Sequence, residues 1–399
     1  MPKILLADKL HPSCITALGQ LKSMEVINRP ELTDNTLPEA LGDIDMLVVR
    51  STRVTSEALA AAKSLSLIIR AGAGTNTIDV KGASARGIYV TNCPGKNAAA
   101  VAELTMGLIL AIDRRIPDNV VELRQGRWNK KKFSKAKGLK GRTLGIIGLG
   151  QIGREVLVRS RPFGLKTIGW SRSLTPAQAA ELEIDYAPTP LAIAEVADIV
   201  TVHLALSNQT RGLLGKEFFE KMKSGSIFIN TSRGEVIDET ALSAALSAGR
   251  VFAGLDVFSE EPSTGEAEVT FDLARSVNLY GTHHIGASTD QAEFETGEEV
   301  VRIVQEFLTG GEIPNCVNLR RTPPGEYGLV VRHEDRVGVL AAVFAVLKEH
   351  GCNVQEMQNQ IFEGATAASA KIMLEESPPT EALERIRRCD GVLHVAAIG

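Results

Sequence analysis

Five cysteines in 399 residues, at positions 14, 93, 316, 352 and 389, are few, odd in number and widely scattered. They exclude a disulfide framework and offer no paired spacing for zinc, so no metal site is indicated, and each reads as a small buried apolar residue. Long apolar runs are also missing. None reaches the roughly 20 residues that a membrane helix needs, so no membrane partner is expected. The opening stretch Met1-Pro-Lys-Ile-Leu-Leu-Ala-Asp8 meets charge too soon for a secretory signal and reads as a first strand, which makes a cytoplasmic location the expectation. Positive charge is not in excess either. With 44 Lys and Arg against 48 Asp and Glu the net charge is -4, which argues against a nucleic-acid partner.

That charge is unevenly spread. Arg124, Arg127, Lys130, Lys131, Lys132, Lys135, Lys137, Lys140 and Arg142 follow Leu123 with no acidic residue among them. Such a run is either a solvated face or a local site for an anionic substrate.

Glycine, by contrast, is plentiful and, in one place, ordered. Leu144-Gly-Ile-Ile-Gly-Leu-Gly-Gln-Ile-Gly153 is an apolar strand running into Gly148, Gly150 and Gly153. The first allows a tight turn, the second lets backbone approach a pyrophosphate, and the third lets the next helix pack on the strand. The helix amino terminus then faces the phosphates. A helix over 152–161 and a second strand at Thr167 to Trp170 supply the context that the bare spacing lacks.

Further apolar strands are expected at Ile199 to Leu204, Ser226 to Asn230, Phe252 to Val257 and Val277 to Tyr280, giving six in all. Their alternation with helical stretches predicts a Rossmann-type doubly wound parallel sheet with ligands outside the strand carboxyl ends. Before them, Lys3 to Ala7, Met46 to Val49, Leu67 to Ile69 and Tyr89 to Thr91 read as strands of a second α/β layer, with helices over 56–63 and 78–86. Long helices over 97–114, with a break near Pro117, and 288–307 sit where a hinge between layers is expected. Gly310-Gly311 and Pro323-Pro324-Gly325 introduce a final β-α-β-β-α-β segment of ferredoxin-like topology.

Three segments end strands of the main sheet: Asn230-Thr-Ser-Arg-Gly234, Leu255-Asp-Val-Phe-Ser-Glu-Glu-Pro262 and Gly281-Thr-His-His-Ile-Gly286. Hydride transfer from a 2-hydroxy acid needs a cation for the carboxylate, a base for the hydroxyl proton and a group that tunes the base. Arg233, His284 and Glu261 are of those types. Arginine binds carboxylate bidentately, and a carboxylate at one ring nitrogen of a histidine fixes its tautomer.

On these residues, and on Arg50-Ser51, Arg70-Ala-Gly-Ala-Gly74, Asn97, Ala102-Glu-Leu104 and Gly126-Arg-Trp-Asn-Lys-Lys-Lys-Phe133, the chain resembles the D-isomer-specific 2-hydroxyacid dehydrogenases over almost its whole length. The resemblance implies a discontinuous, flavodoxin-like substrate domain (1–97 and 286–320) around a dinucleotide-binding domain (98–285). It assigns Arg233 to the substrate carboxylate, His284 to proton transfer and Glu261 to pairing with that histidine. The family usually has proline where this chain has His283, so two adjacent histidines stand as candidates, and alignment on His-Ile-Gly favours His284. It also implies a cofactor surface of Ala73, Gly148, Gly150, Gln151, Ile152, Gly153, Ser171, Arg172, Ala205, Thr231, Ser232, Asp256, His284, Gly286 and Ala287, with Asp256 meeting the nicotinamide carboxamide. Arg50, Ser51, Gly72, Asn97, Lys130 and Arg233 are the substrate candidates, Lys130 arriving from a neighbouring subunit of a homodimer or homotetramer, and Arg53 is a looser match.

The resemblance further implies a small phosphorylated 2-hydroxy acid, 3-phospho-D-glycerate, as substrate, oxidised on the way to L-serine. Where an acidic residue normally meets the ribose of NAD, this chain has Ser171 beside Arg172, which leaves both NAD and NADP open as cofactor. The last segment, 326–399, resembles an ACT module. It is either an L-serine effector site on His333, Asp335 and Asn353 or a purely dimerising unit. Two other functions remain in view: reduction of glyoxylate or hydroxypyruvate, and nicotinamide sensing by a corepressor-like binding protein without turnover.

Overall fold

Short runs of branched aliphatic residues, buried on both faces, build the first sheet. Its strands are β1 (Lys3–Leu6), β2 (Glu25–Asn28), β3 (Met46–Val49), β4 (Leu67–Arg70) and β5 (Tyr89–Asn92). All pairs are parallel, in the order β2-β1-β3-β4-β5, the flavodoxin-like order. β2 was not expected from the sequence. It is a partly exposed edge strand, Glu-Val-Ile-Asn, without the apolar run that marks its neighbours.

The computed structural model describes residues 1–262, 266–269, 271–320 and 327–398. They fall into two compact units, Met1–Asn318 and Leu319–Gly399. The Pro323-Pro324-Gly325 punctuation lies outside the described residues.

The second sheet of the larger unit contains β6 (Thr143–Ile147), β7 (Lys166–Trp170), β8 (Asp185–Tyr186), β9 (Ile199–Val202), β10 (Ser226–Asn230), β11 (Val251–Leu255) and β12 (Leu279–Gly281). The order is β12-β11-β10-β9-β6-β7-β8, parallel throughout. Chain direction across the sheet therefore reverses between β6 and β9, the crevice where doubly wound sheets bind ligands. Seven strands replace the six expected, because β8 is a two-residue exposed edge with no apolar signature. The strand expected over 199–204 stops at Val202, which frees residues 203–205 to turn over that crevice.

The two long helices were legible, and the break between the first and its successor is shifted. Helix Ala98–Arg114 ends because Arg115 adopts left-handed φ +50, and Pro117 then sits in the first turn of the next helix, Ile116–Arg124. The break is thus at Arg115, and Pro117 starts a helix where its missing N–H costs nothing. Ala102, Met106, Ile109 and Ile112 of the first helix pack on Leu144, Ile146 and Ile229 of the second sheet. Helix Asp290–Leu308 instead returns to the first sheet, burying Val300, Ile303 and Val304 against Ile4, Leu6, Met46 and Ile69. Each such buried side chain contributes about 1.5–3 kcal/mol. Beyond it, Val317 N donates to Val90 O and Val90 N to Asn318 Oδ1, which lays the returning chain along β5.

The stretch ahead of helix Ala98–Arg114 and the stretch beyond helix Asp290–Leu308 meet at one buried carboxylate. Glu299 accepts from Arg302 at 2.5 Å and Asn315 at 2.7 Å, and lies 3.6 Å from Lys96 Nζ. Arg302 and Asn315 hold this carboxyl below the usual glutamate range despite its burial.

The smaller unit is an antiparallel sheet of β13 (Tyr327–Glu334), β14 (Val354–Ile361), β15 (Ala367–Leu374) and β16 (Val392–Ile398), ordered β14-β15-β13-β16. Helices Val339–Glu349 and Thr380–Arg387 bury Val343, Leu347 and Ile386 against its Leu329, Val331 and Ile372, the ferredoxin-like arrangement.

Candidate active site

Gly148 ends β6 with φ +98, and a Cβ there would stand 2.4 Å from the carbonyl oxygen of His203. Gly153 is equally constrained: its Cβ would meet Gly148 O at 2.0 Å. Gly150 differs, since a Cβ there meets nothing within 4 Å. It fronts open space at the amino terminus of helix Gln151–Ser160, whose first residues carry no side-chain cap. Two glycines are thus required by the chain and the third by whatever approaches it. Free helix N–H groups and an open Gly150 fit a pyrophosphate.

The other expected cofactor residues lie around this turn or on the segments beyond the strand ends. Ile152 is in the first turn of that helix, whose Gln151 side chain lies over Gly95. Thr231 shares a hydroxyl bond with Thr105 (3.0 Å), Ser232 bonds Asn230 Oδ1 (2.7 Å), and Ala73 and Ala205 offer carbonyls already taken by Asn92 and Thr210. Ser171 follows β7, and exposed Arg172 donates to Gln209 at 2.7 Å. The sequence did not single out His203. It is partly buried, bonds Thr201 through Nε2 at 2.9 Å, and this burial lowers its pKa to about 3, so the ring is neutral beneath the glycine turn.

Buried Asp256 organises the segment that carries the histidines. Its carboxylate accepts from Thr282 Oγ1 (2.6 Å), Ile285 N (2.8 Å) and Gly286 N (2.8 Å), while its carbonyl accepts from His284 N (2.8 Å). These bonds hold His284 at φ +53, a conformation that costs a non-glycine residue about 1 kcal/mol or more. Among the described residues Asp256 thus has three intramolecular donors and acts as the anchor of this turn.

His284 Nδ1 lies 2.6 Å from Glu261 Oε2. Glu261 also accepts from Phe258 N at 2.9 Å. Burial raises its pKa, but the bonds from His284 and Phe258 and the nearby Arg233 charge outweigh this and hold it below the usual glutamate range. An ionised carboxylate only accepts, so Nδ1 carries the proton and Nε2 is left free to take one. It is His284 that meets Glu261; His283 is exposed and does not line the cavity.

That cavity, of about 610 Å³, lies between the first sheet and the ends of β10 and β11. Arg50, Ser51, Gly72, Asn97, Arg233, His284 and Ala287 all line it, as does Arg53. Lys130 does not. It is exposed on the short helix Lys130–Phe133, within the basic run, where Arg127 and Lys132 pair with Glu122. Two expected anion contacts are already engaged: Ser51 N donates to Asp8 Oδ2 at 3.1 Å, and the Arg50 guanidinium donates to Glu293 Oε1 at 2.8 Å. Asp8 Oδ2 also takes Arg50 N and Thr52 N, and so fixes the whole 50–52 turn.

Arg70 was quoted in a motif but assigned no role. It lines the cavity from the end of β4, half-buried, donates only to Ala71 O at 3.3 Å, and leaves Nε buried without a partner. Burial, then the Arg233 and Arg50 charges, pull its pKa down to about 10. Its guanidinium lies across Gly72, where a Cβ would fall 1.4 Å from Nη1 at φ +146. A charge ending an otherwise apolar buried strand was the available signal. Thr77 Oγ1 and Asn97 Oδ1, also on this cavity, are likewise buried without a partner, so three unpartnered polar atoms converge where a polar ligand fits. Among the described residues no group of three or more His, Cys, Asp or Glu side chains is placed to hold a metal, and no helix is long and apolar enough to cross a membrane.

In the smaller unit the side chains of His333 and Asn353 are engaged within the unit, and Asp335 is held through its main chain. His333 is 2% exposed, with Nδ1 on Glu334 O (2.7 Å) and Nε2 on Asn359 Oδ1 (3.1 Å). Asn353 donates to Glu375 at 2.9 Å, and Asp335 N donates to Thr366 O at 3.1 Å.

Residues 106–286 match the NAD binding domain of the D-isomer specific 2-hydroxyacid dehydrogenases. Over 330 residues, 82% of this chain, the sequence is 39% identical to D-3-phosphoglycerate dehydrogenase of Methanocaldococcus jannaschii. The chain spans about three fifths of the length of the curated relatives it matches, 62% and 58% for the first two. Among solved structures, the TT0316 protein of Thermus thermophilus superposes with TM-score 0.71 at 30% identity, covering 79% of this chain and 99% of that one. An NADPH-dependent glyoxylate/hydroxypyruvate reductase of Sinorhizobium meliloti, solved with citrate, gives TM-score 0.70 at 28% identity over 79% of this chain and 98% of its own.

Proposed function

The chain belongs to the D-isomer-specific 2-hydroxyacid dehydrogenase family, and from that premise we propose that it oxidises 3-phospho-D-glycerate to 3-phosphohydroxypyruvate with NAD or NADP, the first step of L-serine synthesis. One observation carries the reading: a half-buried arginine without a carboxylate partner, Arg70, faces the same cavity as Arg233 and the His284–Glu261 pair. An acid with a second anionic group is the ligand that these cations suit, since a phosphate monoester adds about -1.5 to -2 charges to a carboxylate.

When bound, the nicotinamide supplies a hydride acceptor. The protein's part is positioning and proton transfer. Arg233 grips the carboxylate, and Nε2 of His284 takes the hydroxyl proton. The Glu261 carboxylate stabilises the resulting imidazolium through Nδ1, and Arg70 receives the remaining negative charge. Lys130, exposed on its short helix, is assigned to the site of a second copy in a homodimer or homotetramer. The discontinuous division into 1–97 with 286–320, 98–285 and 326–399 follows the same reading, with 326–399 an ACT module that takes L-serine as effector or serves dimerisation alone.

Purified protein is tested with phosphoglycerate and each nicotinamide, and in reverse with phosphohydroxypyruvate. Turnover in neither direction removes the proposal. A second reading, glyoxylate or hydroxypyruvate reduction, is favoured by the Trp170-Ser171-Arg172 strand end and by the likeness to the Sinorhizobium reductase. It predicts higher kcat/KM with the unphosphorylated keto acids and NADPH.

A further inference from the structure

Five carboxylates line the cavity, equal in number to its lysine and arginine side chains. Four of them are bound elsewhere. Asp8 holds the main chain of 50–52, Asp34 accepts from Arg53 N, Glu261 holds His284, and Glu235 faces Arg211 outside the cavity. Only Glu293, among the described residues, pairs with an arginine that the cavity itself presents. It reaches Arg50 Nη1 at 2.8 Å from the first turn of helix Asp290–Leu308, and the two side chains are about equally sheltered, 28% and 32% exposed.

The main chain of Arg50 is fixed by its N–H bonded to Asp8 at 2.6 Å, and its guanidinium rests on Glu293. A second negative group entering the cavity therefore meets Arg50 already neutralised, and meets Glu293 beside it.

We propose that Glu293 is a specificity-determining residue: a built-in competitor that a distal phosphate must displace from Arg50, and that a substrate with an uncharged distal group leaves in place. The inference deepens the functional reading above: it keeps that reading's phosphorylated acid in this cavity, with its distal phosphate shared between Arg70 and Arg50, which line it together. Phosphorylated acids pay a displacement penalty that small keto acids escape, so Glu293 sets how far the site discriminates between them. Releasing a partly desolvated arginine from a carboxylate of this kind corresponds to about tenfold in affinity or more.

The test is Glu293→Gln, which keeps shape and a hydrogen-bonding oxygen while removing charge. Glu298→Gln, on an exposed residue of the same helix outside the cavity, controls for net charge. KM is measured for phosphohydroxypyruvate and hydroxypyruvate, and binding of 3-phosphoglycerate and of inorganic phosphate to the cofactor-saturated protein is measured by calorimetry. The expected result for Glu293→Gln is about tenfold tighter phosphorylated ligand, with hydroxypyruvate KM within about twofold of the parent. Weaker phosphorylated ligand would make Glu293 a support for Arg50 and overturn the proposal, as would equal shifts for both keto acids or the same gain in Glu298→Gln. If the parent turns over no phosphorylated acid, the functional reading falls separately. The calorimetric gain in phosphate binding then still decides the role of Glu293.

Discussion

Arg70→Met separates the stability of the protein from its use of substrate. In the wild type, burial and two neighbouring arginines lower the Arg70 pKa from the ordinary arginine range to about 10. The group stays charged at neutral pH, and at about 1.4 kcal/mol per pKa unit the ligand-free fold bears about 3 kcal/mol for keeping it so. The sign follows from linkage. A base whose folded pKa is depressed destabilises below that pKa, and stability from this group rises only as pH climbs past about 10 toward the ordinary arginine range. Methionine retains much of the aliphatic stem and removes the charge, at the loss of the 3.3 Å bond to Ala71 O, worth about 1 kcal/mol. The net expectation is a gain of about 2 kcal/mol in the ligand-free protein, a few degrees in Tm. Meanwhile kcat/KM for a phosphorylated substrate should fall by about 30- to 150-fold, the 2–3 kcal/mol of a charge-assisted contact. Thermal unfolding followed by circular dichroism, beside steady-state kinetics, reads both. A Tm that falls, or kinetics that stay unchanged, would refute the reasoning, because an arginine that stabilises the empty fold is not waiting for an anion.

Other outcomes follow from the same geometry. His284→Ala should cut turnover by about 10²–10⁴-fold while sparing cofactor affinity; unchanged turnover would move the proton-transfer role to another group. Glu261→Gln should lower kcat and alter the acid limb of the pH–rate profile. Since the folded Glu261 pKa is depressed, its contribution to stability holds above the unfolded glutamate pKa and is lost as pH falls through the folded value, a loss the glutamine variant should not show in acid unfolding. The glycines of the phosphate turn should divide: Gly150→Ala leaves Tm unchanged and weakens cofactor binding at least about tenfold, whereas Gly153→Ala lowers Tm because its Cβ would sit 2.0 Å from Gly148 O. Equal effects of the two on Tm would contradict this division. Lys130→Ala should raise KM for phosphorylated substrates alone; an equal rise with glyoxylate would count against a phosphate contact.

The readable parts of the fold were those whose residues act locally. Gly148, Gly150 and Gly153 announced the turn because backbone sterics permit few alternatives, and β3, β9 and β10 announced themselves as buried aliphatic runs. β2 and β8 escaped because short, polar edge strands are fixed by their neighbours rather than by their own residues. At the site, Glu261 and His284 could be named because each follows a strand end. The pairing of Arg50 with Glu293 spans 243 positions and leaves no trace in spacing or periodicity. Arg70 was hidden differently: its meaning lies in the missing partner, which only three dimensions reveal.

Glu299 ties together stretches of chain that are far apart in sequence. Lys96, just ahead of helix Ala98–Arg114, and Asn315, beyond helix Asp290–Leu308, both reach this one buried carboxylate. Removing its charge would therefore loosen both stretches together, so a single side chain fastens two otherwise unconnected runs like a shared button.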